Sequence, residues 1–70
     1  MSQRTVYELL KELGGRATSR QISELALKKY PDYSLHSYVS ERLRKLRNWG
    51  HVKKNEDGTW EIVAKRGPPT

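Results

Sequence analysis

Apolar residues recur with a helical period in three successive stretches of the chain and then switch to alternation. In "TVYELLKELGG", Val6, Leu9, Leu10 and Leu13 fall at i, i+3, i+4 and i+7, one face of a helix. Thr5 stands three residues before Glu8, the spacing of a capping box. Gly14-Gly15 supply the stop, so a first helix is expected over about 5–13. Tyr7 lies off this stripe and reads either as a dimer contact or as an idle surface residue.

In "ATSRQISELALKKYP" the capping-box spacing returns as Thr18-x-x-Gln21. Ile22, Leu25 and Ala26 form a narrow stripe with Leu27 and Tyr30 at its edges. Pro31 disfavours helix at Tyr30, which bounds a second helix at about 19–29. Arg16-Ala17 ahead of it is extended and long enough for a single bridge. After the connection "PDYS", Leu35, Val39, Leu43 and Leu46 cluster within roughly 80° on a helical wheel. They predict a third helix over about 35–49, closed by Gly50. Opposite them lie Ser37, Glu41, Arg44 and Asn48, flanked by Ser40 and Lys45.

Beyond Gly50 the period becomes two. Val52, Lys54, Trp60 and Ile62 alternate with Lys53, Glu61 and Val63. "EDG" fits a three-residue hairpin loop with Gly58 at the bulge position. That register sets Val52 against Ile62 and Lys54 against Trp60 on the core face, with Lys53 opposite Glu61 on the other. "KRGPPT" has no period, and Pro68-Pro69 cannot join a ladder. The expected organisation is one domain over 1–64 and a flexible basic, proline-containing tail over 65–70. The fold class is mainly α with a β-hairpin (α+β): three helices followed by a two-stranded hairpin.

Composition narrows the chemistry. Seventy residues make a single domain. There is no cysteine, which removes disulfides, thiolate metal sites and cysteine nucleophiles, and fits a reducing compartment. The first helix is punctuated by Arg4, Glu8, Lys11 and Glu12, so no apolar run reads as a leader or a membrane span. The net charge is +6, and it is concentrated. Residues 34–54 hold Arg42, Arg44, Lys45, Arg47, Lys53 and Lys54 against Glu41 alone. Such a concentration is the electrostatic footprint of a polyanion binder, and equally of a solvated cationic face.

The stretch "SYVSERLRKLRNWGHV" resembles the segment of winged helix-turn-helix regulators that runs from recognition helix to wing. The serine-rich start, the spaced apolar positions and the closing glycine before an apolar strand are Ser37, Val39, Ser40, Leu43, Leu46, Gly50 and Val52. The likeness covers about residues 5–63. The Tyr30–Ser34 connection is longer than the turn of a strict helix-turn-helix, which leaves the docking angle open. Small single-domain members of this kind are similar to regulators of archaea and their plasmids and viruses. The resemblance implies double-stranded DNA binding by a transcription regulator. The third helix would lie in the major groove and the 51–63 hairpin would act as a wing on the flanking backbone.

On that reading the outward residues of the third helix, Ser37, Tyr38, Ser40, Glu41, Arg44 and Lys45, face base edges and phosphates. Arg44 has the bidentate fork for guanine O6 and N7, or meets only phosphate or water. Lys45 is a phosphate clamp or an i, i+4 partner of Glu41. Glu41 either holds Lys45, accepts from cytosine N4, or sits outside the interface; holding Lys45 ranks first. Ser37 is a helix cap or a DNA contact, and Tyr38 packs on the second helix or stacks. Arg42 lays its stem on the core. Lys53, Lys54, Asn55 and Thr59 are the wing candidates, because Glu56 and Asp57 at its tip repel phosphate. Thr18, Ser19 and Arg20 open the second helix, where free amides suit a phosphate or a simple cap.

Trp49 and Trp60 read as rim and core rather than as stacking platforms. His51 is expected at the surface, and neither it nor His36 has neighbours for a metal site. No nucleophile–base arrangement or glycine-rich phosphate loop is present, so no enzyme activity, cofactor or metal is expected. The expected partners are duplex DNA, a second copy of the chain in a homodimer, and a protein of the transcription machinery; the expected location is cytoplasmic, on the nucleoid. Two other readings stand beside this one. A winged fold also serves as a protein-interaction module, and a basic one as a sequence-neutral chromatin or nucleoid protein.

Overall fold

The computed structural model describes residues 3–69; Met1, Ser2 and Thr70, at the ends of the expected domain and tail, lie outside the described residues. The order is α1 (Gln3–Glu12), β1 (Arg16–Thr18), α2 (Ser19–Lys29), α3 (Leu35–Asn48), β2 (Val52–Lys54) and β3 (Thr59–Ile62). It is an α+β domain of three helices and one three-stranded antiparallel sheet, ordered β1-β3-β2. The short extended segment expected at Arg16-Ala17 supplies the third strand beside the expected hairpin. The chain leaves α1 at Gly14-Gly15, and the Gly15 carbonyl accepts from Ile62 N–H at 2.9 Å. Arg16, Ala17 and Thr18 are thereby laid against Glu61, Trp60 and Thr59.

The apolar stripes meet in one core. Val6, Leu9 and Leu10 of α1, Ile22 and Ala26 of α2, and Leu35, Val39, Leu43 and Leu46 of α3 are buried together. Ala17, Val52 and Trp60 close the cluster from the sheet. Tyr7 belongs to it too, at 6% exposure, which corrects its reading as a dimer or idle residue. The buried arc of α1 is thus wider than one stripe, and Tyr7 lines one groove with Ile62, Gly67 and Pro68.

Local signals account for most element ends. Thr18 caps α2: its hydroxyl accepts from Gln21 N–H at 3.1 Å and its own N–H donates to Gln21 Oε1 at 2.9 Å. The equivalent box at Thr5 and Glu8 does not form. The helix already runs from Gln3, so Thr5 is a helical residue, and Glu8 pairs with Arg4 at 3.2 Å instead. α3 ends in a Schellman motif, with Gly50 N–H on the Arg47 carbonyl (3.0 Å) and His51 N–H on that of Leu46 (2.9 Å). Gly50 takes φ +82°, which a side chain would resist. Trp49 is left on the outer side of this reversal, at 58% exposure, so it is neither core nor rim.

The hairpin has the expected register, Val52 with Ile62, Lys53 with Glu61 and Lys54 with Trp60. Its loop is Glu56-Asp57-Gly58, closed by Asn55 N–H on the Thr59 carbonyl at 2.8 Å. The segment after β3 does not hang free. Arg66 N–H bonds the Val63 carbonyl at 3.1 Å, His51 Nδ1 donates to the Gly67 carbonyl at 3.0 Å, and Pro69 is buried. Over the described residues 65–69, within the stretch expected as a tail, the chain lies as a strap against the domain. His51 beneath it is 7% exposed rather than at the surface.

Candidate nucleic-acid interface

Burial of Leu35, Val39, Leu43 and Leu46 fixes the rotation of α3 and with it what faces outward. Ser37, Ser40, Glu41, Arg44, Lys45 and Asn48 are all exposed along the opposite side. Ser37 is not the cap: Ser34 is the N-cap residue, without a side-chain hydrogen bond, and its carbonyl accepts from Ser37 N–H at 2.9 Å. The Ser37 hydroxyl is thus not engaged by the helix start. Tyr38 is 49% exposed and shares a shallow groove with Tyr33, Ser34, Leu35 and Arg42. Arg42 is half-buried, in keeping with a stem on the core, and its Nε has no hydrogen-bond partner among the described residues.

Charge on α3 is unevenly satisfied. Glu41, its only carboxylate, lies 3.8 Å from Lys45 Nζ. The pair is half-exposed, worth a few tenths of a kcal/mol, and screened by salt. Arg44 and Arg47 have no carboxylate within ion-pair distance among the described residues, and both are exposed. The outward side therefore combines two serine hydroxyls, an asparagine and a free guanidinium with one internally neutralised acid. The hydroxyls, the amide and the guanidinium can donate to phosphate oxygens and base edges.

The hairpin divides its polar residues into two sets. On one face Lys53 Nζ lies 3.9 Å from Glu61, and Asn55 Nδ2 donates to Glu61 Oε1 and to Thr59 Oγ1, both at 3.1 Å. The Thr59 hydroxyl also accepts from Arg16 Nε at 3.1 Å and donates to Asp57 Oδ1 at 2.6 Å. Asp57 Oδ1 further accepts from Thr59 N–H at 3.0 Å, and Oδ2 meets Arg16 Nη2 at 2.6 Å. The two Thr59 donors, then Arg16, hold the Asp57 carboxyl down to about 2. The same hydrogen bond and charge raise Arg16 above its ordinary value. Lys53, Asn55 and Thr59 are thus engaged in holding the hairpin rather than extended from it. Half of the tip acidity feared from Glu56 and Asp57 is cancelled by Arg16.

Lys54 belongs to the other set. Its ammonium lies 5.3 Å from the Trp60 ring centroid, on the strand at the sheet edge. From α3, the Arg47 guanidinium carbon lies 5.9 Å from the same centroid. Neither Arg47 nor Arg16 stood out in the sequence as more than part of the charge total. The signal for Arg47 was the register, which sets Lys54 beside Trp60 just where the end of α3 packs on the hairpin. Arg16 carried none, because strand β1 is too short to show a period.

At the start of α2, Thr18 is consumed by its cap and Ser19 is half-buried, while Arg20 lies 3.7 Å from Glu24. The register of β1 sets Thr18 beside Thr59, so this helix start adjoins the hairpin. No group of three His, Cys, Asp or Glu among the described residues could hold a metal ion, and no described helix is long and apolar enough to cross a membrane. Comparison with known proteins finds no matching family model, no matching curated protein and no matching solved structure.

Proposed function

We propose that this chain is a winged helix-turn-helix protein that binds duplex DNA, as a small transcription regulator. In this reading α3 enters the major groove and the β2–β3 hairpin lies along the flanking backbone. The observation that supports it best is the state of the charges on α3 and the hairpin. Glu41 is matched to Lys45, Asp57 to Arg16 and Glu61 to Lys53, while Arg44, Arg47 and Lys54 on the basic side and Glu56 at the tip have no ion-pair partner among the described residues. Arg44 is then the base reader, with Ser37, Ser40 and Asn48 beside it. It acts as a binding protein and not an enzyme. A homodimer on paired half-sites is the assembly expected of so small a domain.

The test is duplex binding against salt. Affinity should fall linearly on a log–log plot, with a slope of about one unit per phosphate contact. Absence of duplex binding at about 50 mM salt rejects the proposal. The outcome then favoured is a protein-interaction module, which the exposure of Tyr33, Tyr38 and Trp49 supports. Equal affinity for every duplex sequence would favour nucleoid packing.

A further inference from the structure

We infer that Arg47 and Lys54 form a seat for a single backbone phosphate at the junction of α3 and the hairpin, with Trp60 as its floor. The inference rests on the duplex-binding reading above and names where the backbone is gripped. Trp60 is the central residue of the sheet, flanked across the strands by Ala17 and Lys54, and is 5% exposed. Its ring is fixed by packing. Arg47 comes to it from α3 and Lys54 from the edge strand β2, at 5.9 and 5.3 Å from the centroid. Cation–π attraction holds both groups in place while leaving their hydrogen-bond donors unused.

Both cations are drawn to one ring, and neither has a carboxylate within ion-pair distance among the described residues. An anion within reach of both is attracted by each. A phosphodiester suits the pair: its two unesterified oxygens accept from a planar guanidinium fork and a compact ammonium together. The other polar groups of the hairpin, Glu56 apart, each have an internal partner, unlike Lys54. Lys53 is matched to Glu61, Asn55 and Thr59 are hydrogen-bonded within the loop, and Arg16 holds Asp57. The strand is therefore gripped at the Lys54 edge rather than at the tip. Because one of the two cations stands on α3, the seat also fixes how far the helix advances into the groove.

The test uses the full chain carrying Trp49→Phe, so that Trp60 is the only indole, titrated with a mixed-sequence duplex of about 20 base pairs in about 50 mM salt. Trp60 emission should change on binding, and the change should vanish in Arg47→Gln/Lys54→Gln while persisting in Arg44→Ala. Each single glutamine variant should bind on the order of tenfold more weakly. The double variant should lose little more than either single one, because both cations serve one phosphate. Unaltered thermal unfolding of the variants excludes a folding defect. Duplex binding with silent Trp60 emission, or with losses that simply multiply, overturns the shared seat and leaves the DNA-binding proposal standing. No duplex binding overturns both.

Discussion

Arg16 and Asp57 stand 41 residues apart in the chain and meet at 2.6 Å, joining the strand before α2 to the tip of the hairpin. Both are exposed, so the contact adds less to stability than its length implies. Its clearer signature is in pH. The Asp57 carboxyl is lowered from 3.8 to about 2 in the fold, first by the Thr59 hydroxyl, then by Thr59 N–H and Arg16. The unfolded chain takes up the proton first as pH falls. The contribution is fully present above about pH 4 and is lost as pH falls through about 2. Unfolding measured by urea between pH 5 and 2 should show a decline that Asp57→Asn lacks. Thr59→Val should return the Asp57 titration toward its ordinary range in an NMR titration. If the two variants follow the parent curve, the network does not hold Asp57.

Two threonines with the same local spacing should behave differently. Thr18→Ala removes an acceptor that caps α2 and should cost about 1 kcal/mol. Thr5→Ala alters a residue already inside α1 and should be neutral or stabilising by a few tenths of a kcal/mol. Urea denaturation of the pair checks this. Equal losses would mean that α1 starts later than Gln3 and that Thr5 caps it after all.

That contrast marks what could be read from the chain. The α2 start, the α3 stripe and the hairpin register were legible because each repeats one signal over many residues or combines a turn with a period. Val52, Lys54, Trp60 and Ile62 admit one register that keeps the core face apolar. Tyr7, His51 and the strap were not legible. Tyr7 lines one groove with Ile62, Gly67 and Pro68, and nothing in the hairpin's alternation or in the unpatterned 65–69 segment announces that they meet α1. The extended Arg16-Ala17 segment was legible as a single bridge, but its partner was not: Ile62 N–H and Trp60 lie beside it, a non-local pairing that three residues cannot show. Of the candidate interface, the outward side of α3 followed from the wheel. The sorting of hairpin cations into matched and unmatched depended on distances between elements.

The strap makes its own prediction. Residues 65–69 cover His51 through the Gly67 carbonyl and bury Pro69. Deleting residues 65–70 should lose that hydrogen bond and expose His51, at a cost of about 1 kcal/mol. In a domain of this size the thermal midpoint should fall by roughly 4–8 °C, followed by circular dichroism. An unchanged midpoint would show that the strap adds nothing to the fold. The deletion also removes Lys65 and Arg66, so duplex affinity belongs in a separate measurement.

Glu41 is the residue on which the interface account turns, because it is the one carboxylate among the outward groups of α3. Its distance of 3.8 Å from Lys45 gives it two distinguishable roles. If it only restrains Lys45, Glu41→Gln frees a cation and removes repulsion. Binding to every duplex should then tighten at low salt, with the salt slope steeper by about one unit. If it accepts from a cytosine amino group, Glu41→Gln should weaken one site selectively, by about 1–3 kcal/mol. The pairing geometry favours the first outcome. Arg44→Ala supplies the comparison, since Arg44 has no internal acid and should cost about 1–3 kcal/mol at a selected site while relaxing preference at one base. Selection from random duplexes with the parent and both variants reads all three effects together. Identical selected sequences for parent and Arg44→Ala would remove Arg44 as the reader and leave α3 as a purely electrostatic surface.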